Sequence, residues 1–107
     1  MKVVNTDFIS GKEIKETLGT VRGNSIRASH IGRDIKASFR NLTGGKVDEY
    51  VDMLTDSREE ALNEMVEKAE EMDADAVVNL RFMTSSVMGN AAEILAYGTA
   101  VKLEGEK

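Results

Sequence analysis

The sequence predicts an α+β fold, in which one antiparallel sheet carries a short helix and a long helix on one of its faces. Residues 46–72 repeat apolar side chains at steps of three and four, the spacing of one stripe along an α-helix. On either side of that stretch lie segments with many β-branched or alternating apolar residues, which are typical of strands. The predicted element order is therefore β-β-α-α-β-β, in a single domain over residues 1–107.

The first two strands are predicted at the amino end of the chain. A short strand is expected over residues 2–5 and a turn over residues 7–11. Residues 13–28 are rich in β-branched side chains, and Gly19 and Gly23 interrupt them. Because glycine inside a strand often marks a bulge, we expect one long or bent strand with a bulge at a glycine.

The short helix is predicted over residues 32–43. Its apolar residues share one face and its cations another. Gly44-Gly45 is expected to end the helix, because glycine readily takes the left-handed conformation that often follows a last helical turn. The apolar face comprises Ile31, Ile35, Phe39 and Leu42, and the basic face comprises Arg33, Lys36 and Arg40.

The long helix over residues 46–72 would measure about 40 Å at the rise of an α-helix. That length is comparable with the width of a small domain, so the strands must cover its apolar stripe. The stripe weakens at Ser57 and Arg58, which allows a kink near Thr55.

Two further strands are predicted after the long helix, over residues 76–83 and 92–103, with a loop over residues 84–90 between them. The last strand is apolar on both faces: Ile94, Ala96, Gly98 and Ala100 form one, and Leu95, Tyr97, Thr99, Val101 and Leu103 form the other. One layer of helices covers only one face of a sheet. We therefore expect the other face to meet a second subunit.

Seven side chains are expected to be largely buried, and truncating one of them, Leu62→Ala, should cost about 2–5 kcal/mol. They are Phe39, Leu54, Leu62, Met65, Val78, Leu80 and Phe82.

Composition excludes several classes of protein. With 41% hydrophobic and 31% charged residues among 107, the chain is expected to be a folded domain. No cysteine is present, so disulfides, thiolate metal sites and cysteine catalysis are excluded. The amino end lacks the apolar core of a signal peptide, and no apolar run is long enough to span a membrane. These features predict a cytoplasmic protein.

Charge is divided between two parts of the chain, although the net charge is −5. Residues 22–46 hold six Lys and Arg against Asp34, whereas residues 48–75 hold twelve Asp and Glu against Arg58 and Lys68. One reading is two solvated faces, and the other is that basic and acidic surfaces meet between neighbouring copies. The basic part has few aromatic residues, so nucleic acid is not an expected partner.

An ordered set of short segments from about Val3 to Glu104 resembles the YbjQ-like family of small bacterial and archaeal proteins. The resemblance implies an α+β subunit related to dodecin-like folds and a ring-shaped homopentamer. It implies no established activity, and the family carries the label of a heavy-metal-binding domain. The matching segments begin at Gly11 (GKEI), Val21 (VRGN), Ile31 (IGRDI), Arg40 (RNLTGG), Arg58 (REEA), Ala74 (ADAVV) and Gly98 (GTAV).

Residues suited to metal binding are few. Soft metals prefer thiolates, imidazoles or clustered thioethers, and this chain has no Cys, one His and six scattered Met. His30 is expected to be a capping or interface residue, or a ligand shared by symmetric copies of the chain. We therefore predict no tight binding of zinc or copper.

The turn from His30 to Asp34 is the strongest candidate for small-ligand binding. A strand that turns through a glycine into a helix can capture an anion at the helix start, although Asp34 in the first turn also fits a plain helix start. The candidate ligand-binding residues are His30, Arg33, Asp34 and Arg40, with the ligand, the cofactor and any metal unknown. No catalytic set is recognisable, because one His and no Cys leave little from which to build a nucleophilic triad.

These observations favour a non-enzymatic ring protein that binds a small ligand or ion. The alternatives are a heavy-metal-binding module and an enzyme whose site lies at a subunit boundary.

Overall fold

The computed structural model of the chain describes residues 1–27, 44–88 and 91–105. The elements are β1 (Lys2–Val3), β2 (Ile14–Arg27), α1 (Gly44–Glu71), β3 (Ala76–Met88) and β4 (Ala91–Leu103). The described strands form one sheet in the order β1-β3-β4-β2, and α1 packs on one of its faces. The α+β class is confirmed, whereas the predicted short helix over residues 32–43 lies outside the described residues.

The sheet is mixed, so the prediction of a fully antiparallel sheet is wrong. β3 pairs with β4, and β4 with β2, in antiparallel fashion, but β1 is parallel to β3, with Lys2 opposite Ala76 and Val3 opposite Val77. The two amino-terminal strands occupy opposite edges of the sheet. The connection between them crosses the sheet, which brings β1 beside β3.

β3 is longer than predicted, and the loop expected over residues 84–90 is wrong for its first part. The strand continues to Met88, and Thr84, Ser85 and Ser86 pair with Ile94, Glu93 and Ala92 of β4. This part of the strand carries hydroxyl residues, so it lacks the apolar alternation by which strands are predicted. Main-chain pairing in a hairpin does not require apolar residues.

The strand register shifts at four places among the described residues, and at two of them a residue has a positive φ. Gly19 has φ +138°, and the register with β4 shifts between Thr17 and Gly19, which confirms the predicted bulge at a glycine. The second of these two, between Val78 and Arg81, was not predicted; there Asn79 has a left-handed φ of +57°. Its N–H donates to the carbonyl of Thr6 at 2.9 Å, so the bulge anchors the amino-terminal segment.

The helix α1 lies close above β2 and runs antiparallel to it. Gly23 lies under Ala61 and Met65, and Gly19 lies near Met72. The helical assignment passes Thr55 without a break. After α1, Asp73 takes a left-handed φ of +60°, and the N–H of Ala74 returns to the carbonyl of Ala69 at 3.1 Å, which closes the last turn. The core beneath α1 comprises Val21, Ala61, Met65, Ala69, Val77, Ile94, Ala96 and Ala100.

A second small core lies on the opposite face of the sheet. There the amino-terminal segment places Ile9 over the ends of β3 and β4, where Ala76, Val78, Val101 and Leu103 are buried. The same chain therefore covers part of the face that was expected to meet a second subunit.

The predicted core is right in part. Met65 and Val78 are buried, and the half-buried Leu62 and Leu80 pack against the core beneath α1. The prediction is wrong for Leu54 and Phe82, which are 39% and 44% exposed, and Phe39 lies outside the described residues.

The positions of α1 and β3 explain these two errors. Glu60 of α1 lies level with Ser25, near the end of β2, so the preceding turns of the antiparallel helix, with Leu54, extend past that strand. The helix contacts β2 and β4 far more than β3, which leaves Phe82 uncovered.

Candidate functional site

The ligand-binding residues predicted from the sequence, His30, Arg33, Asp34 and Arg40, all lie outside the described residues. Their role remains a prediction. The described part of the chain offers three other features that could serve a function, which are a row of carboxylates, two surface hollows and an uncovered apolar face.

The row of carboxylates follows the boundary between β2 and α1 and consists of Glu60 and Glu64, while Glu93 of β4 contacts β2 on the opposite face of the sheet. The hydroxyl of Ser25 donates to Glu60 Oε2 at 2.8 Å, and the backbone N–H of Asn24 donates to Glu64 Oε1 at 3.3 Å. On the other face, Asn24 Nδ2 donates to Glu93 Oε2 at 3.0 Å. The sequence predicted a solvated helix face for Glu60 and Glu64 and assigned no role to Glu93. Their contacts with β2 depend on a pairing that sequence spacing does not reveal.

This row holds α1 against β2, and the structure gives no sign that it binds metal. Within residues 1–27, 44–88 and 91–105, no three His, Cys, Asp or Glu side chains converge in a way that could hold an ion. The pair Lys68–Glu64, at 3.4 Å, joins side chains that are 51% and 40% exposed, so it adds little stability.

The described surface includes two hollows beside α1. The larger, of about 560 Å³, lies beside the end of α1 and is lined by Met1, Glu70, Asp73, Ala74, Asp75 and Lys102. In it, Asp75 Oδ2 already accepts the N–H of Leu103 at 2.8 Å. The smaller, of about 450 Å³, lies along the outer edge of β2 and is lined by Thr20, Val21, Arg22, Lys68, Glu71 and Met72. Only the smaller hollow lies along a strand edge that no other described strand pairs with.

An apolar area remains on the sheet face that points away from α1, and we call it the sheet-face patch: Ile26, Met83, Leu95 and Tyr97. Leu95 is at the centre of this group: Met83 is opposite it, Tyr97 is two residues further along β4, and Ile26 lies diagonally across on β2, opposite Glu93. Ile26 is 57% exposed and Met83 is 53% exposed, while Leu95 and Tyr97 are half-buried. The sequence predicted an apolar second face here through Leu95 and Tyr97, but it assigned neither Ile26 nor Met83 to that face.

The helix leaves a second apolar area uncovered, which we call the helix flank: Val51, Leu54, Leu62 and Val66. Val51 is 51% exposed, and Leu62 and Val66 are half-buried at the margin of the core. The chain thus presents two different apolar surfaces, one on the sheet and one on the helix. In the part of the chain that the structure describes, no helix has both the length and the apolar character needed to cross a membrane.

Comparisons with known proteins agree on the family. The model of the YbjQ family, described as "Putative heavy-metal-binding", matches residues 1–104. A UPF0145 protein of Methanosarcina acetivorans is 59% identical over 96% of this chain and 97% of its own length. A UPF0145 protein of Archaeoglobus fulgidus is 52% identical over 94% of both chains.

A solved structure has the same fold. It is a protein of unknown function from the DUF74 family of Pediococcus pentosaceus, which superposes with a TM-score of 0.65 at 19% identity over 97% of this chain and 98% of its own. At that identity the likeness shows the fold alone. The match over nearly the whole sequence, together with relatives above half identity, shows that this chain belongs to the YbjQ family of UPF0145 proteins.

Proposed function

We propose that copies of this chain assemble head to tail into a closed, non-enzymatic ring that binds a small ligand or ion, with five subunits as the resemblance implies. The observation that carries this proposal is the sheet-face patch. Its two most exposed members, Ile26 and Met83, leave more than half of their side-chain surface open to water. Contiguous apolar surface of this kind is typical of interaction sites.

The helix flank supplies the complementary surface. A closed two-fold dimer brings one patch against itself, whereas two different patches on one subunit favour a head-to-tail contact that can close into a ring. Burial of the sheet-face patch of one copy against the helix flank of the next would cover both in every subunit.

The dimensions of the chain also support assembly. Its radius of gyration is 17.0 Å, and its extents are 54 × 26 × 17 Å. A compact domain of this length would have a radius of gyration of about 13 Å. An elongated subunit buries a smaller fraction of its surface than a compact one. Association with another copy would therefore bury additional surface.

The ligand part of the proposal rests on the sequence. In a ring, a residue at the contact between two subunits occurs once at every such contact. We place His30, Arg33, Asp34 and Arg40 at these contacts, so that each would occur once per subunit around the ring. Such repetition can build a site for a small anion or ion from side chains that are too few in one chain.

Native mass spectrometry of the purified protein tests both parts of the proposal. We expect an assembly of five chains, with any retained ligand seen as additional mass. A monomer at micromolar concentration would contradict the ring, and an even-numbered assembly would contradict its five-fold closure. Loss of retained mass in Arg33→Ala, with assembly unchanged, would support the ligand residues.

The second candidate is a heavy-metal-binding module, which the description of the family model favours. Under the leading proposal, titration calorimetry of dialysed protein with zinc should show no sub-micromolar binding. Tight binding that His30→Ala abolishes would favour the metal module instead, whereas tight binding that persists in His30→Ala would place the metal on other residues.

A further inference from the structure

The outer edge of β2 combines exposed backbone groups with charged side chains beside the smaller hollow. β2 is the last strand in the sheet order, and its 14 residues pair only with β4 among the described strands. A strand at a sheet edge presents unpaired N–H and C=O groups, to which another extended chain can add.

The contact of Asn24 identifies which residues direct their backbone groups outward. Its N–H donates to Glu64 Oε1 of α1, and therefore points away from β4. Successive residues of a strand direct their N–H and C=O groups to opposite sides, and the register is unbroken from Gly19 to Arg27. Thr20 and Arg22, four and two residues before Asn24, must therefore also direct their backbone groups outward.

Glu64 protects only one end of this edge. Its carboxylate occupies the N–H of Asn24 and also pairs with Lys68 at 3.4 Å. This arrangement blocks strand addition at Asn24, and it shows that a carboxylate fits the edge. Thr20 and Arg22 lie outside that protection, and both line the hollow.

The side chains around the open part of the edge indicate the charge of a partner. Arg22 is exposed, and within the described residues its guanidinium has no ion-pair partner. Lys68 and Glu71 of α1 line the same hollow, and Lys68 already pairs with Glu64. Arg22 is opposite Tyr97 and so shares the sheet face that points away from α1, whereas Lys68 and Glu71 lie on the helix side. A carboxylate on that face of an added strand would therefore be placed next to Arg22.

We propose that the β2 edge at Thr20–Arg22 binds an extended peptide of a partner protein, which adds as a strand and places an acidic side chain beside Arg22. Main-chain hydrogen bonds would provide the affinity, and Arg22 would set the register and the preference for acidic residues. The inference goes beyond ring assembly, because it uses the edge of the sheet rather than its face.

The test uses the full chain and a fluorescein-labelled synthetic peptide, acetyl-Thr-Val-Glu-Val-Glu-Val-Thr-amide. Fluorescence anisotropy should show saturable binding that Arg22→Glu weakens by about tenfold or more. Lys15→Glu is the matched control: it reverses an exposed charge on the same strand outside the hollow and should leave the affinity within about twofold.

A second set of measurements tests the main chain. Thr20→Pro removes one outward N–H without removing a bond to β4, so it should weaken the peptide while circular dichroism and the unfolding midpoint stay close to those of the wild type. Peptides N-methylated at alternate residues should divide into one set that binds and one that does not. Equal binding by both sets would overturn strand addition.

Two further outcomes would overturn the proposal. The first is the absence of peptide binding at about 1 mM, the weak limit of specific recognition. The second is a change in the mass of the peptide-free assembly in Thr20→Pro or Arg22→Glu, since it would mean that another copy of the chain occupies the edge.

Discussion

Gly23 sets how closely α1 approaches the sheet. A Cβ atom at this position would collide with the carbonyl oxygen of Ala61 and the backbone nitrogen of Met65. Backbone atoms of a packed helix cannot move aside as a flexible side chain can. The exposed Thr20, on the same strand, has no such constraint.

We predict that Gly23→Ala lowers the free energy of unfolding by about 3 kcal/mol, because α1 must lift away from β2. Thr20→Ala should change it by about 0.5 kcal/mol or less. Urea unfolding followed by circular dichroism measures both changes. If Gly23→Ala were as stable as Thr20→Ala, the close approach of α1 to β2 would be wrong.

At single positions, the sequence indicates backbone irregularity only where glycine marks it. The bulge at Gly19 could be predicted, because glycine interrupts a β-branched run. The bulge at Asn79 could not, because Val78, Asn79 and Leu80 continue the alternation of a regular strand. The cause of that bulge lies in the carbonyls of Val4 and Thr6, which accept the N–H groups of Leu80 and Asn79.

Among the elements, α1 has a firmly packed half and an overhanging half. Met65 is fully buried between the helix and the sheet, whereas Leu54 is 39% exposed on the turns that extend past β2. Both residues belong to the same apolar stripe, so the stripe alone does not tell which half is covered.

We predict that Met65→Ala costs about 2–5 kcal/mol, as expected for a fully buried side chain. In the isolated chain Leu54→Ala should cost about 1 kcal/mol or less, and Leu62→Ala should lie between the two. Thermal unfolding of the three variants at low concentration gives this order. A cost for Leu54→Ala equal to that of Met65→Ala would mean that another surface covers the overhang.

The connection from α1 to β3 depends on Asp75. Its backbone N–H donates to the carbonyl of Val101 at 2.9 Å, and its Oδ2 accepts the N–H of Leu103 at 2.8 Å. The carboxylate thus continues the hydrogen bonding of β4 beyond the start of β3. Asp73, two residues earlier, is exposed and left-handed, and within the described part of the chain its side chain makes no hydrogen bond to the sheet.

Asp75→Ala should therefore cost about 2 kcal/mol, since it removes a charged acceptor from a partly buried N–H. Asp73→Asn should be nearly neutral, because asparagine tolerates the left-handed conformation. Hydrogen exchange at the amide of Leu103 offers a local readout. It should accelerate in Asp75→Ala alone, and unchanged exchange would show that the carboxylate does not protect this amide.

The predictability of the elements follows from their periodicity. The apolar stripe located α1 within two residues of its observed start at Gly44, and alternation located β4 within one residue. β1 has two residues, too few to specify a pairing partner, so its parallel contact with β3 could not be foreseen. The row of carboxylates along β2 was missed because it depends on tertiary contacts between a strand and a helix.

At the scale of the whole molecule, charge and apolar surface are expected to have separate roles in assembly. The basic residues of 22–46 and the acidic residues of 48–75 would steer one copy toward the next. Burial of the sheet-face patch would supply most of the affinity. Salt near 1 M reduces the screening length to about 3 Å, so it should slow assembly without dissociating a ring already formed.

Met83→Glu tests the apolar contribution directly. Met83 is 53% exposed, so the charge should leave the fold of a single chain intact and should disrupt a contact that buries the sheet-face patch. Thr84→Glu is the matched control, because the next residue of the same strand is also exposed but points to the opposite face. Sedimentation velocity should show monomers for Met83→Glu and assemblies for Thr84→Glu and the wild type. If Thr84→Glu dissociates and Met83→Glu does not, the contact uses the helix-facing side of β3 around Phe82, and the assignment of the sheet-face patch to the interface is wrong.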